Sequence, residues 1–570
     1  MKWLIAFCIS GMVLASLPGC KKGFGDFLAK PPGVDITIDT IFSSQSQVET
    51  FLAGLYYYTL PLDVLTSNDR RRTGSDGSIS GATDEAEIMM SWYWPQYWNN
   101  GDMKASWPLD RSYTPRWAAL RRVNTMLEHI DDAPFDDAGF KSRVKAEAYF
   151  LRAYLYHEMF KRYGGVPILN HTLNLGDTLK VGRATVEETV NFIVEDCDRA
   201  ASVLPNSYPS ELKGHATKGA ALMLKANTLL FAASPLFNTG DPYLSLGADD
   251  PLICYGNYDQ QRWQRAADAA KAVLDWAAPN GCHLITDQGI HENYRYVWEN
   301  PDCAEVILAQ KERGPTSPVA YQGYKAFWPA SFGGPGGMSV TLNFVKRYEK
   351  IDGSPQRWNM NGGDNLTEMY ADLDPRFAQS CVYNGGYWNV DHPKLELWEG
   401  GRDASGCITG VFLKKPIPTE LTNRHPTTPN QIEMRLAEAY LNYAEALNEV
   451  QGPVQAAYDA VNKIRSRSGM PDLPAGLSQE EFRERVRHER TIELAFEGHR
   501  LWDVRRWLIA NTDGIMKGEM WGIKIYKIGE DKFRYEPYVF EIRKFSEPFY
   551  LNAFPQEEVD KGYIVQNPEY

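Results

Sequence analysis

The sequence predicts a mainly α-helical protein: helix pairs of the tetratricopeptide kind, stacked into an α/α superhelix, joined to a long-looped, irregular half suited to holding a ligand. Three observations carry this. Apolar residues recur at three- and four-residue steps in seven segments, with small Ala and Gly among them. A short motif is echoed in three of those segments, as in helical repeats. The stretches between them are long and rich in Gly, Pro and aromatic residues, and long loops in a compact protein are usually functional.

The first element is an export signal. Lys2 is followed by an apolar run from Trp3 to Leu17, too short to span a bilayer, and then by Leu17-Pro18-Gly19-Cys20. That segment resembles a bacterial lipobox, so residues 1–19 are expected to be removed and Cys20 to carry the lipid; Pro18 is unusual in such a motif. Several acyl chains on one cysteine anchor stably where a single chain is marginal. Residues 20–40, with Pro31-Pro32 and several glycines, are a tether. The body is 41–570, with an N-terminal portion to residue 250 and a C-terminal portion from 251.

The body's helices follow. Arg143–Tyr163 has Val144, Ala148, Leu151, Leu155 and Met159 on one face and is ended by Gly164-Gly165 and Pro167. Thr185-x-x-Glu188 is a capping box opening a helix to about Leu204. Thr217–Ala233 and Gln261–Ala277 come next, then Ile432–Val450 and Val454–Ser468. Ser478-x-x-Glu481 caps a seventh helix running towards Phe496. Ala146-Glu147-Ala148-Tyr149 with Ala153 is echoed by Ala437-Glu438-Ala439-Tyr440 with Ala444, and loosely by Gly219-Ala220-Ala221-Leu222 with Ala226. Small residues at these spacings let two helices approach closely. The irregular stretches are Asp69–Pro115, His283–Gly363 and Tyr383–Pro429.

A net charge of −13 argues against nucleic acid as a partner, which needs a basic face. Cys197, Cys254, Cys282, Cys303, Cys381 and Cys407 are widely spaced with no C-x-x-C pair, so neither zinc nor a redox motif is supported; one or two disulfides and buried free thiols are both compatible with them. No cofactor or metal is expected. Gly333-Gly334-Pro335-Gly336-Gly337 lacks the residues of a phosphate loop, and Gly77-Ser78-Ile79-Ser80-Gly81 has Ile where a serine hydrolase needs its nucleophile. His488-Glu489 has no second His in zincin register.

The sharpest chemical signal is aromatic. Trp92, Trp94, Trp98, Trp107 and Trp117 are five of the 16 tryptophans within a short stretch containing Pro95, Gly101 and Pro108. Rings in a loop can stack on the C–H face of a pyranose, and Asn99, Asn100 and Asp102 can bond its hydroxyls. Each stack, burying about 100 Å² of apolar surface, is worth about 2.5 kcal/mol before ordering costs. Tyr324 and Trp328, in Tyr321–Trp328, form a second aromatic stretch. The candidate ligand-binding residues are therefore Trp92, Trp94, Trp98, Asn99, Tyr324 and Trp328; the competing reading is that such rings pin loops to the core. Glu489, Arg490, Glu493, Glu497, Arg500, Asp503 and Arg506 interleave charge at helical steps. Glu497 and Asp503 could be a glycosidase pair, but neighbouring arginines would keep both ionised, so a structural ion network is expected.

Taken together, the segments resemble the SusD/RagB family of outer-membrane nutrient-binding lipoproteins. The resemblance rests on the lipobox, Gly25-Asp26-Phe27-Leu28, Ala82-Thr83-Asp84-Glu85-Ala86, Arg435–Leu441, Val461–Arg467 with Gly469-Met470-Pro471, Glu489–Arg500, Trp502-Asp503, Arg505–Trp507 and Gln566–Tyr570. Phe554-Pro555-Gln556 stands where the family usually has Pro-Ile-Pro, and Glu569 where it usually has Gly. The resemblance implies four tetratricopeptide-like helix pairs under a variable loop-rich half, capture of glycans or sometimes peptides by aromatic residues, and a TonB-dependent outer-membrane barrel of the SusC type as partner. It implies a cell-surface position, with the membrane touched through the lipid alone. A helical glycoside hydrolase or lyase, and a scaffold whose only ligands are proteins, are the alternatives.

Overall fold

The computed structural model describes residues 37–60, 78–110, 112–174, 176–177, 180–311, 327–334, 336–422 and 430–570. Cys20, Tyr324, the export signal and most of the tether lie outside them. The chain divides into two units: a small one, through Phe51 with Ala133–Asp136, and a large one, Leu52–Asp132 with Asp137–Tyr570. In the small unit, helix Ile38–Ile41 is capped by the Thr37 hydroxyl, and Phe42 meets Phe51 edge-on at 6.3 Å.

The large unit carries the helix pairs. Its main helices are α1 Trp94–Asn99, α2 Tyr113–His129, α3 Ala138–Tyr163, α4 Val186–Val203, α5 Lys218–Ala233, α6 Gln260–Ala277, α7 Leu436–Gln451, α8 Gln455–Arg467, α9 Gln479–Glu493 and α10 Arg500–Arg506. From α2 to α6 each packs on the next, α6 packs on α7, and α7 packs on α8 and α9. Both expected capping boxes form, with Thr185 and Glu188 on α4 and Ser478 and Glu481 on α9. Small residues set the spacing as expected: Ala146, Ala148, Ala153, Ala437, Ala439 and Ala444 are buried. A Cβ on Gly219 would lie 2.2 Å from the Trp276 ring, so α5 and α6 approach only because Gly219 has none.

Two expectations need correction. Ile432–Arg435, read as the start of a helix, belongs to a strand, Asn430–Arg435, that pairs antiparallel with Val306–Lys311 and hands over to α7. Apolar Ile432 and Met434 alternate there with polar Gln431, Glu433 and Arg435, a pattern that suits a strand as well as a helix start. The irregular stretches also contain a core of their own. Ala86–Ile88, Met338–Val340, Val411–Leu413 and Cys381–Tyr383 form a four-stranded antiparallel sheet in that order. Phe327, Trp328, Phe344, Tyr348, Trp388 and Phe412 are buried around it. A long hairpin, Gly518–Gly529 with Lys532–Arg543, completes this half. The six described cysteines are all free thiols.

Among the described residues no helix is long and apolar enough to cross a membrane, and no group of three or more His, Cys, Asp or Glu is placed to hold a metal ion.

Candidate ligand-binding surface

The tryptophan-rich segment is not wholly irregular. Tyr93 is extended and Pro95 sits in the first turn of α1, where a missing N–H costs nothing. Gly101 ends the helix region in the left-handed conformation, against the Lys544 side chain. The helix then divides its rings between two sides. Trp98 is buried, with the Arg505 guanidinium 5.3 Å from its ring centre. Asn99 is buried too: its side-chain amide donates to the Gly81 carbonyl at 3.0 Å, and its backbone carbonyl accepts from the Lys544 N–H at 2.9 Å. Gln96 donates to the Glu87 carboxylate and to the Ile88 carbonyl, and Arg543 donates to the same carboxylate. These bonds fasten α1 to strand Ala86–Ile88 and to the end of the hairpin.

The other side is partly open, with Trp94 and Tyr97 half-buried on it. Trp92 is 69% exposed and stacks on Tyr93 with ring centres 6.3 Å apart. Trp94 meets Tyr97 at 6.2 Å, and Tyr97 meets Trp107, itself 52% exposed, at 6.5 Å. A string of rings thus lies along a pinned helix and the turn after it. Of the expected residues, the structure presents Trp92 and Trp94 there. Trp98 and Asn99 anchor the helix instead, because they fall on its inward face. Tyr97 was not singled out from the sequence, although its three-residue step from Trp94 puts it on the same face.

Trp328 is corrected in the same way. It is 4% exposed and packs in the core around the four-stranded sheet. The glycines after it serve that packing: a Cβ on Gly334 would lie 2.1 Å from the Trp328 carbonyl oxygen, and the Gly336 N–H donates to that oxygen at 3.3 Å. Of the aromatics before and after this stretch, Tyr387 is 48% exposed, while Tyr294, Trp298 and Trp388 are buried.

The charged segment forms the expected ion network. Glu493 accepts from Arg435 at 2.6 Å and from Arg376 at 3.0 Å, and is also bridged by Arg467. Glu497 accepts from Arg435 at 2.6 Å and Lys415 at 2.5 Å. Asp503 lies between Arg490 and Arg506, each at 2.8 Å. Burial would raise the pKa of Glu497, but Arg435 and Lys415 lower it below its ordinary value; Arg490 and Arg506 do the same for buried Asp503. Both carboxylates are held ionised, so neither is poised to deliver a proton as a glycosidase acid must.

The fold defines a helical-repeat protein with a loop-rich, partly sheeted second half. The chain belongs to the SusD family: the model of that family matches residues 304–570, and a related model described as starch-binding associating with outer membrane matches residues 26–230. SusD-like protein P25 of Formosa agariphila is 25% identical over 85% of this chain and 86% of its own length. SusD-like protein P2 of the same organism is 23% identical over 90% and 91%. Among solved structures, a SusD-like protein of Bacteroides fragilis superposes with a TM-score of 0.78 at 27% identity, covering 95% of this chain and all of that one. A laminarin-binding SusD-like protein has a TM-score of 0.59 at 20% identity over 92% of this chain and 99% of its own. The family descriptions place the chain among glycan-binding proteins associated with the outer membrane.

Proposed function

We propose that this protein is a non-catalytic subunit that captures oligosaccharides or polysaccharides at the cell surface and passes them to a TonB-dependent outer-membrane barrel of the SusC type. In this reading residues 1–19 are removed, Cys20 carries the lipid, residues 20–40 tether the body, and 41–570 binds the glycan.

The observation that carries the proposal is the set of rings Trp92, Trp94, Tyr97 and Trp107, with Trp92 and Trp107 exposed on either side of a helix that carries half-buried Trp94 and Tyr97 and that Gln96, Trp98 and Asn99 lock in place. Rigid rings lose little conformational entropy on binding, so more of each stacking contact survives as affinity. SusD-like proteins are generally binding proteins rather than enzymes, and one structural relative binds laminarin. Calorimetry of the detergent-purified protein against a glycan panel that includes laminarin tests this. Trp92→Ala and Trp107→Ala should each weaken the glycan that binds by about tenfold, about 1.4 kcal/mol. Wild-type affinity in both variants, or release of reducing ends by the pure protein, would overturn the proposal.

A further inference from the structure

A second cleft lies on the helical half, enclosing about 290 Å³ between α2, the segment after α3, and residues near the C-terminus. That is near the lower end of small-ligand cavities, about 300 Å³. Its floor is apolar, with Leu120 and Ile564 buried. Trp117 and Arg121 stand on one wall, four residues apart on α2 and therefore neighbours on one helix face. The Trp117 ring is held edge-on by Tyr113 at 6.1 Å. One N–H of Arg121 donates to the Leu173 carbonyl at 2.9 Å, which fixes the guanidinium at the rim. Among the described residues no carboxylate pairs with it. Glu558, across the cleft, is already engaged by Lys561 at 2.7 Å and by the Tyr563 hydroxyl at 3.1 Å. The Thr172 hydroxyl, which lines the cleft, is buried without a hydrogen-bond partner.

Two side chains thus offer what an acidic sugar needs side by side: a flat ring for the pyranose C–H face, and a fork of N–H donors that matches a carboxylate or sulfate. The cleft also adjoins the ring-bearing surface. The Gln556 N–H donates to the Ala105 carbonyl at 2.9 Å, tying the turn that holds Glu558 to the turn that holds Trp107. We propose that this cleft binds an anionic pyranose residue, a uronate or a sulfate ester, with its ring on Trp117 and its anionic group on Arg121. The proposal rests on the glycan-binding reading and extends it: the cargo is an acidic glycan, gripped at a second place on the helical half.

The test is calorimetry of the detergent-purified protein with an oligogalacturonate, a sulfated galactan oligosaccharide and, as an uncharged control, a laminarin oligosaccharide. Whichever anionic probe binds tells carboxylate from sulfate. That probe should weaken by at least about tenfold in Arg121→Gln, a substitution at an exposed site, and should lose much of its salt dependence there. Trp117→Ala should weaken it comparably. Failure of both anionic probes to bind the wild type, or wild-type affinity and salt dependence in Arg121→Gln, overturns the proposal. The paired variant Trp92→Ala/Trp107→Ala separates the two readings. If it binds the anionic probe as the wild type does while Arg121→Gln does not, the cleft stands and the ring string on α1 falls; the reverse result removes the cleft alone.

Discussion

At the scale of single residues, Glu85 shows how a buried group ties stability to pH. Its carboxylate accepts the Phe496 N–H at 2.8 Å through one oxygen, and the other is buried without a partner. Burial, with the nearby charge of Asp84, raises its pKa from 4.5 to about 7, against the lowering effect of the Phe496 N–H. The folded state therefore holds this proton more tightly than the unfolded chain does. The stabilisation is complete below the unfolded value of about 4.5 and is lost as pH climbs through about 7. Glu85→Gln cannot lose it. The variant should melt at about the wild-type temperature near pH 4.5 and about 1–2 °C higher above pH 8, read by scanning calorimetry across that range. Equal melting temperatures at both ends would mean that the fold does not raise the pKa of Glu85. Gly219 poses a steric version of the same question. Gly219→Ala pushes a methyl into Trp276 and should cost about 1–3 kcal/mol in urea unfolding. The sequence marked Gly219 as a contact residue through the repeated small-residue motif. It gave no sign that Glu85 would be only half satisfied, because that depends on partners far away in the chain.

At the scale of elements, local chemistry was readable and long-range pairing was not. The helix starts at Thr185 and Ser478 were legible because a capping box lies within four residues. Thr185→Ala should cost about 1 kcal/mol of stability, checked by chemical denaturation. The hairpin Gly518–Gly529/Lys532–Arg543 went unread, although Ile523-Lys524-Ile525-Tyr526 alternates as a strand does; what fixes it is its partner strand and its neighbours. Helix α1 shows the limit most clearly. The tryptophan count drew attention to the right segment, but which rings face outward depends on where the hairpin end and strand Ala86–Ile88 lie. Stability measurements should separate the two classes of ring. Trp98→Ala should lose about 3–5 kcal/mol, as expected for a large buried side chain, whereas Trp92→Ala should change stability by less than about 0.5 kcal/mol. A comparable loss in both would mean that Trp92 packs against the protein rather than standing free.

On the scale of the whole molecule, the repeat helices and the loop-rich half are joined by buried charge. Arg435 ends the strand that leads into α7, Glu493 ends α9, Arg467 ends α8, and Arg376 comes from the loop-rich half; all four meet with almost no solvent contact. The helical spacing of the acids and bases in Glu489–Arg506 pointed to a network, but placed its partners within that segment. The main partners of Glu493 instead come from positions 376, 435 and 467. Arg435→Met should cost about 3–5 kcal/mol, because it leaves Glu493 and Glu497 short of positive charge in a water-free site. Glu493 takes its partners from three separate stretches of the chain, so a partly unravelled intermediate would leave buried charges of this cluster without some of their partners. The molecule should therefore come apart at its centre all at once or not at all, and the amide hydrogens of Glu489–Glu493 should trade for deuterium only on the timescale of complete unfolding.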